Sequence, residues 1–529
     1  MSKFNVIIFG NPSVPESKTR NYGSHRIASH LRENGYTCLV VDFATALDWG
    51  TYQEILNSAI GDETYMVGFS TTFMPMRITT LNNTDTSFIK VSHTDGTISR
   101  VEQPVEESNL CLVDALSHNF GKPWFDLIKK LNPKTKIVMG GSGIGYYMDC
   151  REVDNFIYGH AENMIIDYLN SISGRGVKRI FNRVLDYDYK AQDPRWDFRS
   201  SSTRYTEYDF ITSNETLSLE IGRGCRFSCP FCTYPLIGQK NINDYLKFGE
   251  CLRSELLENY NRWGVTQYHI VDDTFNDSTE KLLVLKKVLD TLPFKIKFWC
   301  FLRADLITAF PEQIHLLKEM GLAETFFGIE TFHHAAGKSL GKGMKPEKLK
   351  AGLSKCKEVW GDDVFIAAGF IVGLPHEPES SVVETWEYLR TPDCPIDAGW
   401  LHPLQMFNSK YNDPRLQWVY KSDYDKNYEK YGYYFDPVTK IEDIVQWRKK
   451  EDGSGIYSFE QATEIANRLL SSLPSKGEVP NFYTSSLDHP ILSNLELTKK
   501  MSRHQYQDLV KSVNLTDLYL KTVKNQYFT

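Results

Sequence analysis

The feature that most limits the folds open to this chain is a repeated alternation of short apolar segments with amphipathic ones. Near the start, FNVIIFG, YTCLVVDF, TYMVGFSTTF and KIVMGGSG have the length and composition of buried strands, and the segments between them have helical periodicity. Such alternation predicts an α/β domain, with parallel strands in one sheet and helices on both faces. We expect residues 1–170 to form an open parallel sheet of the Rossmann or flavodoxin type, with ligands beyond the carboxyl ends of its strands.

Two further segments interrupt or follow this first domain. The stretch TSFIKVSHTDGTISRV alternates apolar and polar residues around an Asp-Gly pair, which predicts an inserted β-hairpin at about residues 84–103. Residues 171–215 are polar and aromatic without periodicity, so we interpret them as a linker that packs across a domain interface.

The alternation returns over residues 216–407. Its six candidate strands are TLSLEIGRG, QYHIVDD, KIKFWCFLR, ETFFGIET, FIAAGFIVG and AGWLHPLQM. Six strand–helix units predict a partial (β/α)6 version of the TIM-type barrel, in which catalytic residues lie at the carboxyl ends of the strands. Residues 408–529 are first Tyr-rich and irregular and then helical, so we expect a mainly helical C-terminal region that serves as a lid. The Tyr-rich stretch itself is either lid lining or an ordinary packed surface.

Composition limits the partners and the location. The chain has 60 Lys and Arg against 67 Asp and Glu, a net charge of −7, so no overall positive field favours a nucleic acid partner. The opening MSKFNVIIFG leads directly into a strand-like segment, and the longest strongly apolar run, FIAAGFIVGL, is about half the length of a membrane span. Seven of the ten cysteines are isolated, as in proteins of a reducing compartment. We expect a cytoplasmic protein with no membrane partner.

The other three cysteines lie together in the segment GRGCRFSCPFCTYP. Cys225, Cys229 and Cys232 are one ligand short of a structural zinc site or a ferredoxin-type cluster, each of which normally uses four. A 4Fe–4S cluster held by three cysteines leaves one iron open to a substrate or cofactor. Chance proximity and a partial zinc site are the alternatives.

The Cys-x3-Cys-x2-Cys spacing, with the aromatic Phe231 before the third cysteine, resembles the signature of the radical S-adenosylmethionine (SAM) superfamily. This resemblance implies that Cys225, Cys229 and Cys232 hold a 4Fe–4S cluster. It also implies reductive cleavage of SAM to a 5'-deoxyadenosyl radical, with electrons from an external donor such as flavodoxin or ferredoxin.

Residues at the ends of the later candidate strands resemble SAM-binding elements of the same family. In HIVDDTFN, Asp272, Asp273 and Thr274 stand where family members bind the SAM amino group. In CFLRAD, Arg303 suits the SAM carboxylate, because a guanidinium binds a carboxylate through two parallel hydrogen bonds. In FFGIET, Glu330 suits polar contacts with the ribose or the amino acid moiety.

The fifth candidate strand carries one further element of this kind. The segment GFIVGLPHE, from Gly369 to Glu377, resembles the family pattern G-x-I-x-G-x-x-E, with one additional residue before the glutamate. The resemblance implies that Ile371 and Gly373 shape the pocket for the SAM adenine.

The whole layout resembles the radical SAM enzymes that have an N-terminal cobalamin-binding domain. The residues that the resemblance assigns to the corrin and its nucleotide tail are Ser70, Thr72, Gly140, Gly141 and Gly159, where small residues let the backbone approach closely. Two features depart from the pattern. The loop Asp-x-His-x-x-Gly is absent, so His25 is interpreted as an ordinary helix residue, and the usual Gly-Glu-Gly-Glu is replaced by GHAE, which ends at Glu162. A flavodoxin-like scaffold without cobalamin is the alternative.

The resemblance thus predicts a cobalamin-dependent radical SAM methyltransferase that acts on an unactivated carbon or a phosphinate-type phosphorus of a small molecule or peptide. The first alternative is a radical rearrangement, cyclisation or oxidation, with an N-terminal domain that is structural or binds substrate. The second is a metal-binding or electron-transfer module without catalysis. A methylthiotransferase is disfavoured, because the sequence has no second group of three cysteines.

Overall fold

Two parallel sheets dominate the structure, a computed structural model. It describes residues 4–10, 20–42, 44, 47–72, 89–92, 98–101, 122–186, 196–213, 215–411, 417, 419–436 and 445–471. Each sheet has six strands within these residues, and each is flanked by its own hydrophobic core. Among the described helices, none is both long enough and apolar enough to cross a bilayer.

The first sheet has the strand order β2-β1-β3-β6-β7-β8, and all its neighbours are parallel. Its strands are β1 Val6–Phe9, β2 Cys38–Val41, β3 Met66–Ser70, β6 Lys136–Gly140, β7 Asn155–Tyr158 and β8 Val184–Asp186. Its helices are α1 Tyr22–Glu33, α2 Trp49–Ala59, α3 Lys122–Leu131 and α4 Glu162–Ser173. The predicted open α/β sheet is confirmed. The last two strands were not predicted; β8 has only three residues, too few for a periodic signal, and lies within the segment interpreted as a linker.

A separate antiparallel hairpin is inserted between β3 and β6. It pairs β4 Ile89–Ser92 with β5 Ile98–Val101. This agrees with the hairpin predicted from alternation. The Asp-Gly pair expected at its turn lies outside the described residues.

The second sheet follows chain order, β9 to β14, as expected of a partial barrel. Its strands are β9 Thr216–Leu219, β10 Gln267–Ile270, β11 Lys297–Leu302, β12 Leu322–Glu330, β13 Phe365–Val372 and β14 Ala398–Pro403. Its helices are α5 Gly249–Trp263, α6 Thr279–Leu289, α7 Ala304–Ala309, α8 Glu312–Met320, α9 His334–Ser339, α10 Pro346–Trp360 and α11 Glu379–Arg390. All five strand pairs are parallel, which confirms the predicted partial barrel and brings six carboxyl ends to one rim.

The C-terminal region packs on the fifth and sixth barrel strands. Its elements are α12 Asp423–Lys426, β15 Tyr433–Phe435, β16 Trp447–Lys449 and α13 Phe459–Ser471. The indole Nε1 of Trp447 donates to the carbonyl of Leu404 at 2.6 Å, just beyond β14. The two short antiparallel strands were not predicted, and residues 472–529 lie outside the description.

Candidate active site

The cysteine segment is a folded loop that begins directly after β9. The amide of Cys225 donates to Leu236 O at 3.0 Å, and the amide of Cys232 donates to Cys229 O at 3.0 Å. The glycine before the first cysteine is required by packing, because a Cβ on Gly224 would lie 2.9 Å from the Cβ of Tyr245. Backbone hydrogen bonds and close packing thus fix the three cysteines in one loop at the rim of the barrel.

Each of the three thiols has a polar neighbour. Arg303 Nη1 donates to Cys229 Sγ at 3.2 Å, the Tyr234 amide donates to Cys232 Sγ at 3.4 Å, and Cys225 Sγ lies 3.7 Å from Thr274 Oγ1. All three are free thiols. Burial raises the pKa of Cys232 to about 11, although the Tyr234 amide acts in the opposite direction. Deprotonation therefore requires compensating positive charge, which a bound metal cluster supplies.

The three cysteines fit a cluster better than a single ion. Within the described residues, no three His, Cys, Asp or Glu side chains converge closely enough to hold one metal ion. A 4Fe–4S cluster does not require such convergence, because each thiolate binds a different iron. The donor set of three free thiols near one guanidinium suits that group.

Asp272, which the resemblance assigns to SAM, has partners within the chain. Its carboxylate is buried and accepts hydrogen bonds from the amides of Ile221 and Gly222, both at 2.8 Å, and it pairs with Lys281 at 2.6 Å. Both oxygens are thus engaged by the chain itself. Asp272 ties the segment after β9 to the end of β10.

The next two residues do face the cysteine loop. The side chain of Asp273 is exposed to solvent, and partial desolvation by the surrounding protein, together with the neighbouring charge of Asp272, raises the pKa of Asp273 to about 7. Thr274 is buried against Cys225. Asp273 is therefore the free acidic group at the end of β10, placed to accept hydrogen bonds from an ammonium group.

Arg303, directly after β11, lies beside the cysteines. Asp305 holds its guanidinium through two hydrogen bonds, from Nε at 3.0 Å and from Nη2 at 2.7 Å, and the ring of Phe227 lies 4.1 Å from its central carbon. These contacts leave Nη1 directed at Cys229. Sequence reasoning missed Asp305, although its position two residues after the arginine is a usable signal.

Glu330 ends β12 in a conformation that is uncommon for a residue with a side chain. Its φ is 69°, where β12 shifts register against β13, and its carboxylate pairs with Lys342 at 2.7 Å. The Lys342 ammonium also lies 5.8 Å from the centre of the Phe231 ring. Lys342, which was not predicted, thus joins the fourth strand end to the cysteine loop.

The predicted glycines of β13 are packing positions. A Cβ on Gly369 would lie 2.7 Å from the Phe326 ring, and one on Gly373, whose φ is 97°, would lie 2.6 Å from Trp447. Ile371 is partly exposed between them. Glu377 is buried and accepts a hydrogen bond from the Thr331 hydroxyl at 2.5 Å, and burial raises its pKa to about 8. The Gly373 clash arises from the C-terminal region, which sequence reasoning did not connect to it.

The residues predicted for cobalamin lie at the carboxyl ends of three adjacent strands of the first sheet. Ser70 of β3 pairs in register with Gly140 of β6, and Gly159 follows β7 with a φ of 88°. Gly141 has a φ of 108°, and a Cβ there would lie 2.5 Å from Thr72 Oγ1. Gly141 is therefore required both by its backbone conformation and by its close packing against Thr72. Thr71, which was not predicted, ties β3 to β6 through the carbonyl of Gly140.

His25 is not part of that strand-end site. Its ring is buried between Asp42, at 2.7 Å from Nε2, and Asp209, at 3.5 Å from Nδ1. Arg32 also pairs with Asp209, at 2.7 Å. This network joins α1 to the segment that precedes the barrel.

Comparisons with known proteins agree with this arrangement. Residues 219–389 match the family model of the Radical SAM superfamily. The comparison with curated protein sequences gave no match. The radical SAM methyltransferase TsrM from Kitasatospora setae, with cobalamin and a [4Fe-4S] cluster bound, matches with a TM-score of 0.51 and 15% identity over 76% of each chain.

Two further solved structures have similar coverage of this chain. TsrM with tryptophan substrate and the SAM analogue aza-SAM matches with a TM-score of 0.50 and 16% identity, over 76% of this chain and 74% of that one. The cobalamin-dependent SAM radical enzyme OxsB, with aqua-cobalamin and SAM bound, gives 0.48 and 14%, over 81% and 56%. The TsrM matches show that the two-domain fold is shared. Residues 219–389 are therefore a radical SAM domain, which implies a 4Fe–4S cluster and SAM as its cofactors.

Proposed function

We propose that this protein is a cobalamin-dependent radical SAM methyltransferase. The cluster would be held by Cys225, Cys229 and Cys232, and cobalamin would lie at the ends of β3, β6 and β7. When bound, the cluster and SAM supply a 5'-deoxyadenosyl radical, and cobalamin supplies a transferable methyl group. The likeness to TsrM supports the proposal, because it extends over both domains of a chain whose structure holds cobalamin and the cluster.

One observation carries the proposal. The start of α4, just after the turn that follows β7, is in direct contact with the cysteine segment, because Arg223 pairs with Glu162 at 2.8 Å. Arg223 precedes Cys225 by two residues, and Glu162 follows Gly159 by three. A methyl group held at the first site would therefore be near a radical formed at the second, as a methyltransferase of this kind requires.

The chain's own residues would orient SAM. Asp273 and Thr274 lie at the end of β10, Arg303 follows β11 and Glu330 ends β12, so the four side chains border the cysteine loop. We assign the SAM amino group to Asp273 and its carboxylate to Arg303, whose guanidinium Asp305 holds in place. We assign contacts with the ribose or amino acid moiety to Glu330, and the adenine to the partly exposed Ile371.

The class of substrate and the partners belong to the same proposal. We expect an unactivated carbon or a phosphinate-type phosphorus as methyl acceptor, in a small molecule or a peptide. An external donor such as flavodoxin or ferredoxin would reduce the cluster in the cytoplasm. The second candidate, a radical rearrangement, cyclisation or oxidation, is favoured by the GHAE segment, which departs from the usual cobalamin pattern at His160 and Ala161.

The test is anaerobic purification with cobalamin supplied, followed by iron and cobalt counts and an assay for 5'-deoxyadenosine from SAM plus reductant. We expect about four irons and about one cobalt per chain. Cys229→Ala should abolish deoxyadenosine, whereas Cys251→Ala, at an isolated and partly exposed cysteine, should not. Iron and deoxyadenosine without cobalt would favour the second candidate, and zinc without SAM cleavage would contradict both.

A further inference from the structure

Arg223 contacts side chains of three segments at the interface of the two sheets: the start of α4, its own segment after β9, and residues 196–198. Its Nη1 donates to Glu162 at 2.8 Å, and its Nε and Nη2 donate to Glu220 at 2.9 and 3.0 Å. Its guanidinium carbon lies 4.6 Å from the ring centre of Phe198 and 5.4 Å from that of Trp196, which precede the barrel. Two carboxylates from different domains, Glu162 and Glu220, thus form ion pairs with Arg223.

The contact of Arg223 with Glu162 and Glu220 is largely shielded from solvent. The side chains of Arg223, Glu162 and Glu220 are only 10%, 4% and 13% exposed. Burial would raise the pKa of Glu162, but Arg223 outweighs it and lowers that pKa to about 2, so the carboxylate is ionised. Each partner therefore depends on Arg223, since losing it would leave two buried carboxylates without their cation.

Both ends of the contact lie close to a predicted cofactor site. On one side, Arg223 is held by its backbone to Tyr245 O at 2.8 Å and precedes Cys225 by two residues. On the other side, Glu162 is the first residue of α4, directly after the turn that Gly159 forms. A shift of the β7–α4 turn would therefore change the position of the guanidinium and of the cysteine loop.

We infer that Arg223 is a positioning residue that couples the strand-end site of the N-terminal domain to the geometry of the cysteine loop. The inference rests on the proposed function, which places cobalamin at one end of this contact and the cluster at the other. Coupling between two sites is reciprocal: if the cluster orders the β7–α4 turn, then occupation of that turn favours the cluster-bound loop by the same factor.

Hydrogen exchange of the full chain tests the coupling without relying on activity. Exchange of residues 155–166 is compared in cluster-free and reconstituted protein. In the wild type we expect cluster assembly to slow exchange there at least about fivefold, the lower range of typical coupling. Arg223→Lys keeps the positive charge but loses the planar guanidinium. In this variant, cluster assembly should slow exchange by less than about twofold.

Arg32→Lys is the matched control, because Arg32 is likewise a largely buried arginine that binds a carboxylate distant in sequence, Asp209, and it joins the N-terminal domain to the segment before the barrel. In Arg32→Lys, cluster assembly should slow exchange of residues 155–166 as much as it does in the wild type. Glu162→Gln, which leaves the pair between Arg223 and Glu220 intact, replaces Arg223→Lys if the latter does not fold. An unchanged effect in Arg223→Lys or Glu162→Gln, or no effect in the wild type, would overturn the coupling.

Hydroxocobalamin affinity, measured with and without the cluster, separates this inference from the proposed function. If the wild type binds cobalamin, reciprocity requires its affinity to change on cluster assembly by a factor that Arg223→Lys reduces. If the wild type binds none, the methyltransferase proposal fails, while the exchange experiment still decides whether the two loops are coupled.

Discussion

At the scale of single residues, the end of β6 in the first sheet depends on two glycines, which have no side chain. Gly140 and Gly141 are adjacent, yet only Gly141 has a φ in the left-handed region, at 108°. A Cβ on Gly141 would lie 2.9 Å from the Thr72 backbone amide, whereas one on Gly140 would make an ordinary contact of 3.7 Å with Ile157 O. The two glycines are therefore not equivalent.

We predict that Gly141→Ala lowers the stability of the cofactor-free chain by about 1–3 kcal/mol, because it combines backbone strain with a clash against backbone atoms. Gly140→Ala should shift the urea midpoint little. The two midpoints, measured on the cofactor-free protein, check the prediction. Equal urea midpoints for Gly141→Ala and Gly140→Ala would mean that the turn after β6 accommodates the added Cβ without loss of stability.

At the scale of elements, a buried ion pair joins α6 to the end of the second barrel strand, β10. Lys281 of α6 and Asp272, just after β10, pair at 2.6 Å with both side chains fully buried. On the same helix, Lys286 pairs with Asp290 at the same distance, but these side chains are 24% and 53% exposed. The two pairs thus differ in burial and not in length.

We predict that Asp272→Asn destabilises the chain by about 3–5 kcal/mol, because it leaves the buried Lys281 without its carboxylate. Asp290→Asn should cost less than about 1 kcal/mol, because solvent screens the exposed pair. Urea unfolding of both variants is the measurement. If Asp272→Asn were as stable as Asp290→Asn and instead lost SAM affinity, Asp272 would be a ligand-binding residue.

At the scale of the whole molecule, a buried charge network holds the N-terminal domain against the segment before the barrel. Arg20 contacts Asp42 at 3.0 Å and Glu215 at 2.7 Å, and His25 lies between Asp42 and Asp209. Burial alone would lower the pKa of His25, but these two carboxylates outweigh it and raise the pKa to about 9. The folded protein therefore keeps His25 protonated at neutral pH.

This shift predicts a pH dependence of stability. Because the pKa of His25 is higher in the folded state than its ordinary value of 6.5, the stabilisation is complete below about pH 6.5 and is lost as the pH rises through about 9. The wild type should exceed His25→Gln by up to about 3 kcal/mol more at pH 6 than at pH 10. Urea midpoints across this range test it.

His315→Gln, at an exposed position of α8, controls for the general effect of removing an imidazole. If the difference between the wild type and His25→Gln stayed constant from pH 6 to pH 10, the carboxylates would not stabilise a protonated ring.

Periodicity was sufficient to predict both sheets apart from β7 and β8, because buried parallel strands such as β1 and β13 are continuous apolar runs that helical segments separate. Periodicity could not predict the short strands β8, β15 and β16, because each has only three residues and is defined by pairing with a neighbouring strand. The cysteine spacing and the segment CFLRAD predicted separately the cluster loop and Arg303, and the structure places Arg303 beside Cys229 because the ends of the parallel strands meet at one rim.

The sequence alone thus determined the two α/β units, the three cysteines and the order of the strand-end residues, because all of these depend on local periodicity and spacing. Only the tertiary structure decided which carboxylates are free. Asp272 forms an ion pair with Lys281, whereas Asp273 forms none with the described residues, and Glu162 pairs with Arg223 across the interface. The physical reason is that burial and pairing depend on residues distant in the chain, which no local pattern specifies.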